Sequence, residues 1–141
     1  MPARGPDEQS RCFDVVYIAG HGNPEVLSDG EHSEFWDWVG EDVCALADCL
    51  GGSALLFCAA CYGGRELVAN GLFAGCDALK FVCGPDRPIT PQQGLVAFHR
   101  IYHALTEEGA GPIAAVKALK DDFGQVQFIC HDRMDWTRAA T

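Results

Sequence analysis

Two residues of this chain stand in settings that suit nucleophilic chemistry. His21 lies between two glycines, and Cys61 is followed by Tyr62-Gly63-Gly64. A thiol becomes a good nucleophile at neutral pH when a base or a positive field favours its thiolate, and histidine is well suited to take and return that proton. The glycines allow tight turns and close backbone approach. The sequence therefore predicts a cysteine–histidine dyad, with the amides of Gly22 and Cys61 as donors to an oxyanion.

Both residues follow short apolar segments that are typical of buried strands. Each segment is almost continuously apolar, which indicates strands covered on both faces, as in a mostly parallel sheet. Sites form in the crevice at the carboxyl ends of parallel strands, and adjacent strands lie ~4.8 Å apart. We therefore expect His21 and Cys61 to be neighbours. The four predicted strands run from Phe13 to Ala19, from Ala54 to Ala59, from Ala78 to Cys83 and from Gln125 to Cys130.

Segments with helical spacing connect the predicted strands. If the strands are arranged in sequential order, their crossover helices all cover one face of the sheet, and the extra helix before the fourth strand covers the other. The helix after Cys61 would direct free backbone amides at its sulfur. The predicted helices begin after a cap at Asp29 or Ser33, at Tyr62 or Gly63, at Thr90-Pro91, and at Pro112, where the last runs to Asp122.

Length and composition predict one globular domain over residues 11–141, preceded by a disordered segment over residues 1–10. The chain has 141 residues, of which 48% are apolar, enough for a substantial core. Its net charge of −10 argues against nucleic acid and anionic membranes as partners. No segment approaches the ~20 apolar residues of a membrane span, and the polar N-terminus does not resemble a signal peptide. We expect a cytoplasmic protein.

The cysteines and histidines do not form a recognisable metal site. Most of the eight cysteines are expected to be reduced core residues. Cys58 and Cys61 have C-x-x-C spacing, but a zinc ribbon needs a second such pair. His99 and His103 stand one helical turn apart with Glu107 after them, which fits the exposed flank of an amphipathic helix better than a metal site. We therefore expect neither a metal nor another cofactor.

Two segments resemble a known peptidase family. Ala60-Cys61-Tyr62-Gly63 resembles the second half of the caspase nucleophile signature Q-A-C-x-G, and a His-Gly pair precedes it as in that family. Residues 81–120 resemble the CHAT branch: a strand, a proline-bearing break, Phe98 and Tyr102 on a helix, then an alanine-rich helix. The chain is thus similar to caspase-like cysteine peptidases (clan CD) over roughly residues 13–130.

The resemblance implies a three-layer α/β fold and a peptidase activity triggered by assembly. In that reading Cys61 is the nucleophile, His21 the base and Gly22 an oxyanion donor, acting on a protein or peptide substrate. Asp86 and Arg87 follow the third strand and are candidates to bind a charged substrate side chain, with an ordinary turn as the alternative. The cleavage specificity is not implied, because the family residues that would set it are absent before Cys61.

The resemblance also implies that the chain begins at the family's third strand and lacks the first two. The first strand would then lie at a sheet edge, whose unpaired backbone groups favour association. We expect a second copy or a partner chain there, with one of Trp36 and Trp38 in the core and the other at that surface. An inactive interaction module is the alternative to a peptidase. A third possibility is a different thiol hydrolase or transferase on a flavodoxin-like sheet, which a break in strand order beside His21 would favour.

Overall fold

The computed structural model describes residues 14–50, 54–120 and 122–140. The strands within them are β1 (Asp14–Ala19), β2 (His21–Gly22), β3 (Val26–Ser28), β4 (Ser33–Phe35), β5 (Ala54–Ala59), β6 (Leu79–Pro85) and β7 (Phe128–Asp132). Of these, β1, β5, β6 and β7 form one sheet in that order, and β2, β3 and β4 form a second. The helices are α1 (Trp36–Leu50), α2 (Glu66–Gly75), α3 (Pro91–Thr106), α4 (Pro112–Lys117) and α5 (Arg133–Ala140).

The larger sheet is mostly parallel and is flanked by helices, which confirms the predicted α/β class. β1, β5 and β6 run parallel, and β7 runs antiparallel to β6. Because side chains alternate along a strand, neighbouring residues of β5 enter different cores. Leu56 packs with Trp36 of α1 and Leu72 of α2, whereas Phe57 packs with Ile101 of α3 on the other face. Both helices before the last strand therefore cover the opposite face, where only the extra one of the two was expected.

The smaller antiparallel sheet was not predicted. Its strands are two or three residues long, too short to show an alternating pattern. The predicted helix start at Asp29 or Ser33 is consequently wrong, because Ser33 belongs to β4 and α1 begins at Trp36. The Asp29 carboxylate instead accepts hydrogen bonds from the amides of Glu31 and His32 and closes the turn between β3 and β4.

The remaining helices follow the sequence signals to different degrees. α3 begins at Pro91 as predicted, and Thr90 forms a reciprocal capping box with Gln93. α2 begins later than predicted, at Glu66, and α4 ends at Lys117. No helix in the part of the chain that the structure describes is long and apolar enough to cross a membrane. The predicted disorder over residues 1–10 lies outside the described residues.

Candidate active site

The larger sheet places both residues of the predicted dyad just beyond the carboxyl ends of β1 and β5. β1 and β5 are adjacent and parallel, from the pair Asp14–Ala54 to the pair Ala19–Ala59. His21 and Cys61 each lie two residues beyond the end of their strand, so they are level with each other in this register. A break in strand order between β1 and β5 would have favoured a flavodoxin-like sheet, but the two strands are direct neighbours.

The segments that follow β1 and β5 meet at Gly22. A β-carbon at this position would lie 2.7 Å from the carbonyl oxygen of Cys61 and 2.9 Å from the β-carbon of Ala60. Both distances are shorter than real β-carbons tolerate, so glycine is required by this contact. The close approach brings the backbone of the His-Gly segment directly against the backbone of Cys61.

The amide of Gly22 faces away from the small sheet. Asn23 donates its amide to the carbonyl of Val26, which makes that pair a hydrogen-bonded one. Hydrogen-bonded and non-hydrogen-bonded pairs alternate in an antiparallel ladder, so the next pair, Gly22 with Leu27, is of the second kind. The Gly22 N–H therefore points to the open edge of β2, where it is available to a bound group.

Cys61 begins a tight turn rather than a helix. The next residue, Tyr62, has a φ of 64°, a left-handed conformation that is uncommon for a residue other than glycine. The predicted field of free amides at the sulfur is wrong, because α2 begins only at Glu66 and the turn amides have acceptors of their own. The amides of Tyr62, Gly63 and Gly64 donate to the carbonyls of Arg87, Ala60 and Pro85.

The backbone segments of the two predicted catalytic residues are in contact, but no hydrogen bond joins the side chains of His21 and Cys61. His21 is exposed and Cys61 is half-buried. The Cys61 thiol donates to the carbonyl oxygen of Ile89, with the sulfur 3.9 Å from that oxygen. Catalytic hydrogen bonds are often loose in a free enzyme, and exposed side chains change rotamer on the picosecond to nanosecond scale. A proton transfer between imidazole and thiol requires such a rotation.

The predicted substrate-binding residues pair with each other. The Arg87 guanidinium donates to both carboxylate oxygens of Asp86, each at 3.1 Å, and Asp86 also accepts the amide of Gln127. Burial raises the pKa of Asp86, but the hydrogen bonds from Arg87 and Gln127 outweigh it and hold that pKa below its ordinary value. The carboxylate is therefore engaged by Arg87 of its own loop and by the segment before β7, and the loop contacts the Cys61 turn through the Arg87 carbonyl.

Two side chains support the site through contacts that the sequence did not predict. His131 of β7 hydrogen-bonds through Nε2 to the carbonyl of Gly64 at 2.7 Å, and since that oxygen only accepts, Nε2 is the protonated nitrogen. Trp36 donates its indole N–H to the carbonyl of Asn23 at 2.9 Å, which fixes the turn after Gly22. No local motif marks these contacts, because they join segments that are distant in sequence. Trp36 is the buried member of the tryptophan pair, whereas Trp38 is about half exposed.

The other thiols and histidines near the site do not form a metal centre. Burial raises the pKa of the Cys58 thiol to about 12, so the first cysteine of the C-x-x-C pair stays protonated. His103 pairs at 3.7 Å with Glu108 on the surface of α3. Among the described residues, no group of three or more His, Cys, Asp and Glu side chains is arranged to hold a metal ion.

Comparisons of the chain with protein-family models, curated proteins and solved structures give no match.

Proposed function

We propose that the chain is a cysteine endopeptidase of the caspase-like, CHAT-like kind, with Cys61 as nucleophile and His21 as its acid–base partner. The observation that carries the proposal is the contact of Gly22 with Cys61, because it places a His-Gly segment against the cysteine where two parallel strands end. The spacing between adjacent strands is enough to support this arrangement. The left-handed conformation of Tyr62 adds support, since strained turns cluster at functional sites.

The proposed reaction uses the dyad in two stages. His21 accepts the thiol proton, and the Cys61 thiolate attacks the carbonyl carbon of a peptide bond. The Gly22 and Cys61 amides stabilise the negative oxygen of the tetrahedral intermediate. His21 then returns the proton to the leaving amine as the C–N bond breaks. In the second stage His21 removes a proton from water, which attacks the thioester, releases the carboxylic acid and restores the thiol.

The proposal predicts that Cys61 is the fastest-reacting thiol of the folded chain. At about pH 6.5, iodoacetamide should alkylate Cys61 about fivefold faster than a small reference thiol in the same mixture, because an imidazolium neighbour raises the thiolate fraction more than it lowers nucleophilicity. In His21→Ala this advantage should disappear. Peptide mass spectrometry over a pH series measures the rate at each cysteine.

A matched control separates this effect from a general change in charge. His32 is another exposed histidine near the same small sheet and pairs with Asp29, so His32→Ala should leave Cys61 reactivity unchanged. Equal alkylation rates for Cys61 in the parent and in His21→Ala would contradict the dyad. A peptide electrophile that labels the parent and not Cys61→Ala would extend the support from reactivity to peptidase chemistry.

A second candidate function is an inactive caspase-like module that associates through β1. The observation that favours it is the position of β1 at the edge of the larger sheet. In the described ranges 14–50, 54–120 and 122–140, no strand pairs with the side of β1 that faces away from β5. An apolar edge strand such as Val15-Val16-Tyr17-Ile18 invites pairing, and two copies can pair antiparallel across a twofold axis.

The module predicts a homodimer that is independent of the thiol. Sedimentation equilibrium over a range of concentrations should give a mass that rises from one chain to two, and the same dissociation constant for Cys61→Ala and the parent. A mass of one chain at every concentration would rule out self-association through this edge. A dimer without fast Cys61 alkylation would favour the module over the peptidase.

A further inference from the structure

Two cysteines outside the candidate active site face each other across neighbouring strands. Cys83 of β6 and Cys130 of β7 are directly opposite in the antiparallel register, with their sulfurs 3.1 Å apart. Both are free thiols. Directly opposite residues in an antiparallel pair have Cα atoms about 4.5–5.5 Å apart, which lies within the range of about 4.4–6.8 Å that a disulfide spans. A covalent bond between them therefore needs little backbone movement.

The two thiols differ in exposure. Cys83 is fully buried, whereas Cys130 is partly exposed on the strand at the end of the sheet. The Cys83 thiol donates its proton to the Cys130 sulfur, and this bond, together with burial, raises the pKa of Cys83 well above its ordinary value. A soluble oxidant therefore meets the sulfur of Cys130 first, with Cys83 placed to resolve the product.

We propose that Cys83 and Cys130 form an oxidation site at which a hydroperoxide converts the paired thiols into a disulfide. The proposal does not depend on the function of Cys61. In the first step the Cys130 thiolate attacks the peroxide, an S–O bond forms as the O–O bond breaks, and the leaving hydroxide is protonated to water. In the second step the Cys83 sulfur attacks the sulfenic acid, an S–S bond forms, and water leaves with the Cys83 proton. The two sulfurs together lose two electrons, and the peroxide gains them.

The test is hydrogen peroxide treatment of the folded Cys61→Ala chain, which removes the candidate nucleophile as a competing thiol. Unreacted thiols are blocked before digestion without reductant, and linked peptides are identified by mass spectrometry. We expect the peptides of Cys83 and Cys130 to be joined, with a mass loss of about two daltons relative to the separate thiols. Reduction with dithiothreitol should restore both thiols.

Single substitutions identify the order of the steps. In Cys83→Ala, Cys130 should stop at the sulfenic acid and be labelled by dimedone, whereas in Cys130→Ala the buried Cys83 should stay reduced. Among the described residues, Cys44 and Cys76 are a second cysteine pair in side-chain contact and give an internal comparison. A linked Cys44–Cys76 pair with Cys83 and Cys130 still reduced would overturn the proposal, as would oxidation of Cys130 in the parent without linkage to Cys83.

Discussion

Replacing Gly64 by alanine should destabilise the fold by about 3 kcal/mol, because it forces two backbones apart. A β-carbon at Gly64 would lie 2.1 Å from the carbonyl oxygen of Gly84 in β6, and a backbone atom cannot rotate out of the way. The same residue donates its amide to Pro85 and accepts a hydrogen bond from His131, so a displacement also strains both of these bonds. Urea denaturation followed by tryptophan fluorescence measures the change in the free energy of unfolding.

Gly111→Ala is the matched control. Gly111 precedes α4 with a φ of −75°, and a β-carbon there would meet no atom within 4 Å. Its substitution should therefore cost less than about 1 kcal/mol. If Gly64→Ala and Gly111→Ala unfold at the same urea concentration, the Cys61 turn does not pack closely against β6. A destabilised Gly64→Ala with altered Cys61 alkylation while still folded would show that this packing also sets the position of the thiol.

The parts of the fold that the sequence predicted are those whose signals are local and strong. The segment from Ala54 to Ala59 is a run of apolar residues, and its strand has the predicted bounds because burial on both faces favours that composition. Thr90 followed by Pro91 marks the start of α3, because one side chain caps the helix and the other fits its first turn.

The parts that were missed depend on contacts between distant segments. β2, β3 and β4 have only two or three residues each and are held by pairing with one another. They are too short to show the alternation of apolar and polar residues that predicts a strand. The antiparallel direction of β7 was also not predicted, because the residues before it resemble an ordinary crossover. α5 is a short polar helix that contacts α2 and β6 through Arg133, and a single arginine carries no signal of its tertiary partners.

The candidate site was likewise predicted in its local features and missed where it depends on contacts between distant segments. The proximity of the His21 and Cys61 segments follows from strand adjacency, which apolar runs and topology rules predict. The source of the amides near Cys61 was predicted wrongly, because the sequence does not show that Gly63 and Gly64 pack against the end of β6 and bond to other carbonyls. The glycines were expected to allow tight turns and close backbone approach, and Gly64 does lie against the backbone of Gly84.

Arg133 carries the second large expected effect, because it connects α5 to the end of α2 and to β6. Its guanidinium donates to the carbonyl of Phe73 at 2.8 Å and to the carbonyls of Cys76 and Leu79. It also stacks on the rings of Phe73 and Trp136. A cation at a helix C-terminus satisfies carbonyls that have no helical partner and interacts favourably with the helix dipole.

Arg133→Met should therefore lower the free energy of unfolding by about 3 kcal/mol, since methionine keeps the apolar packing and loses all three charge-assisted hydrogen bonds. Arg133→Lys should recover only part of the loss, because an ammonium lacks the planar fork that reaches several carbonyls at once. Arg138→Met is the control in the same helix: Arg138 is exposed and pairs with Asp135 at 3.6 Å, so its loss should cost less than about 1 kcal/mol. Urea denaturation of the three variants measures these differences. An Arg133→Met variant as stable as Arg138→Met would mean that α5 is not held to the sheet by this guanidinium, and that the contact between the Phe73 and Trp136 rings positions the helix instead.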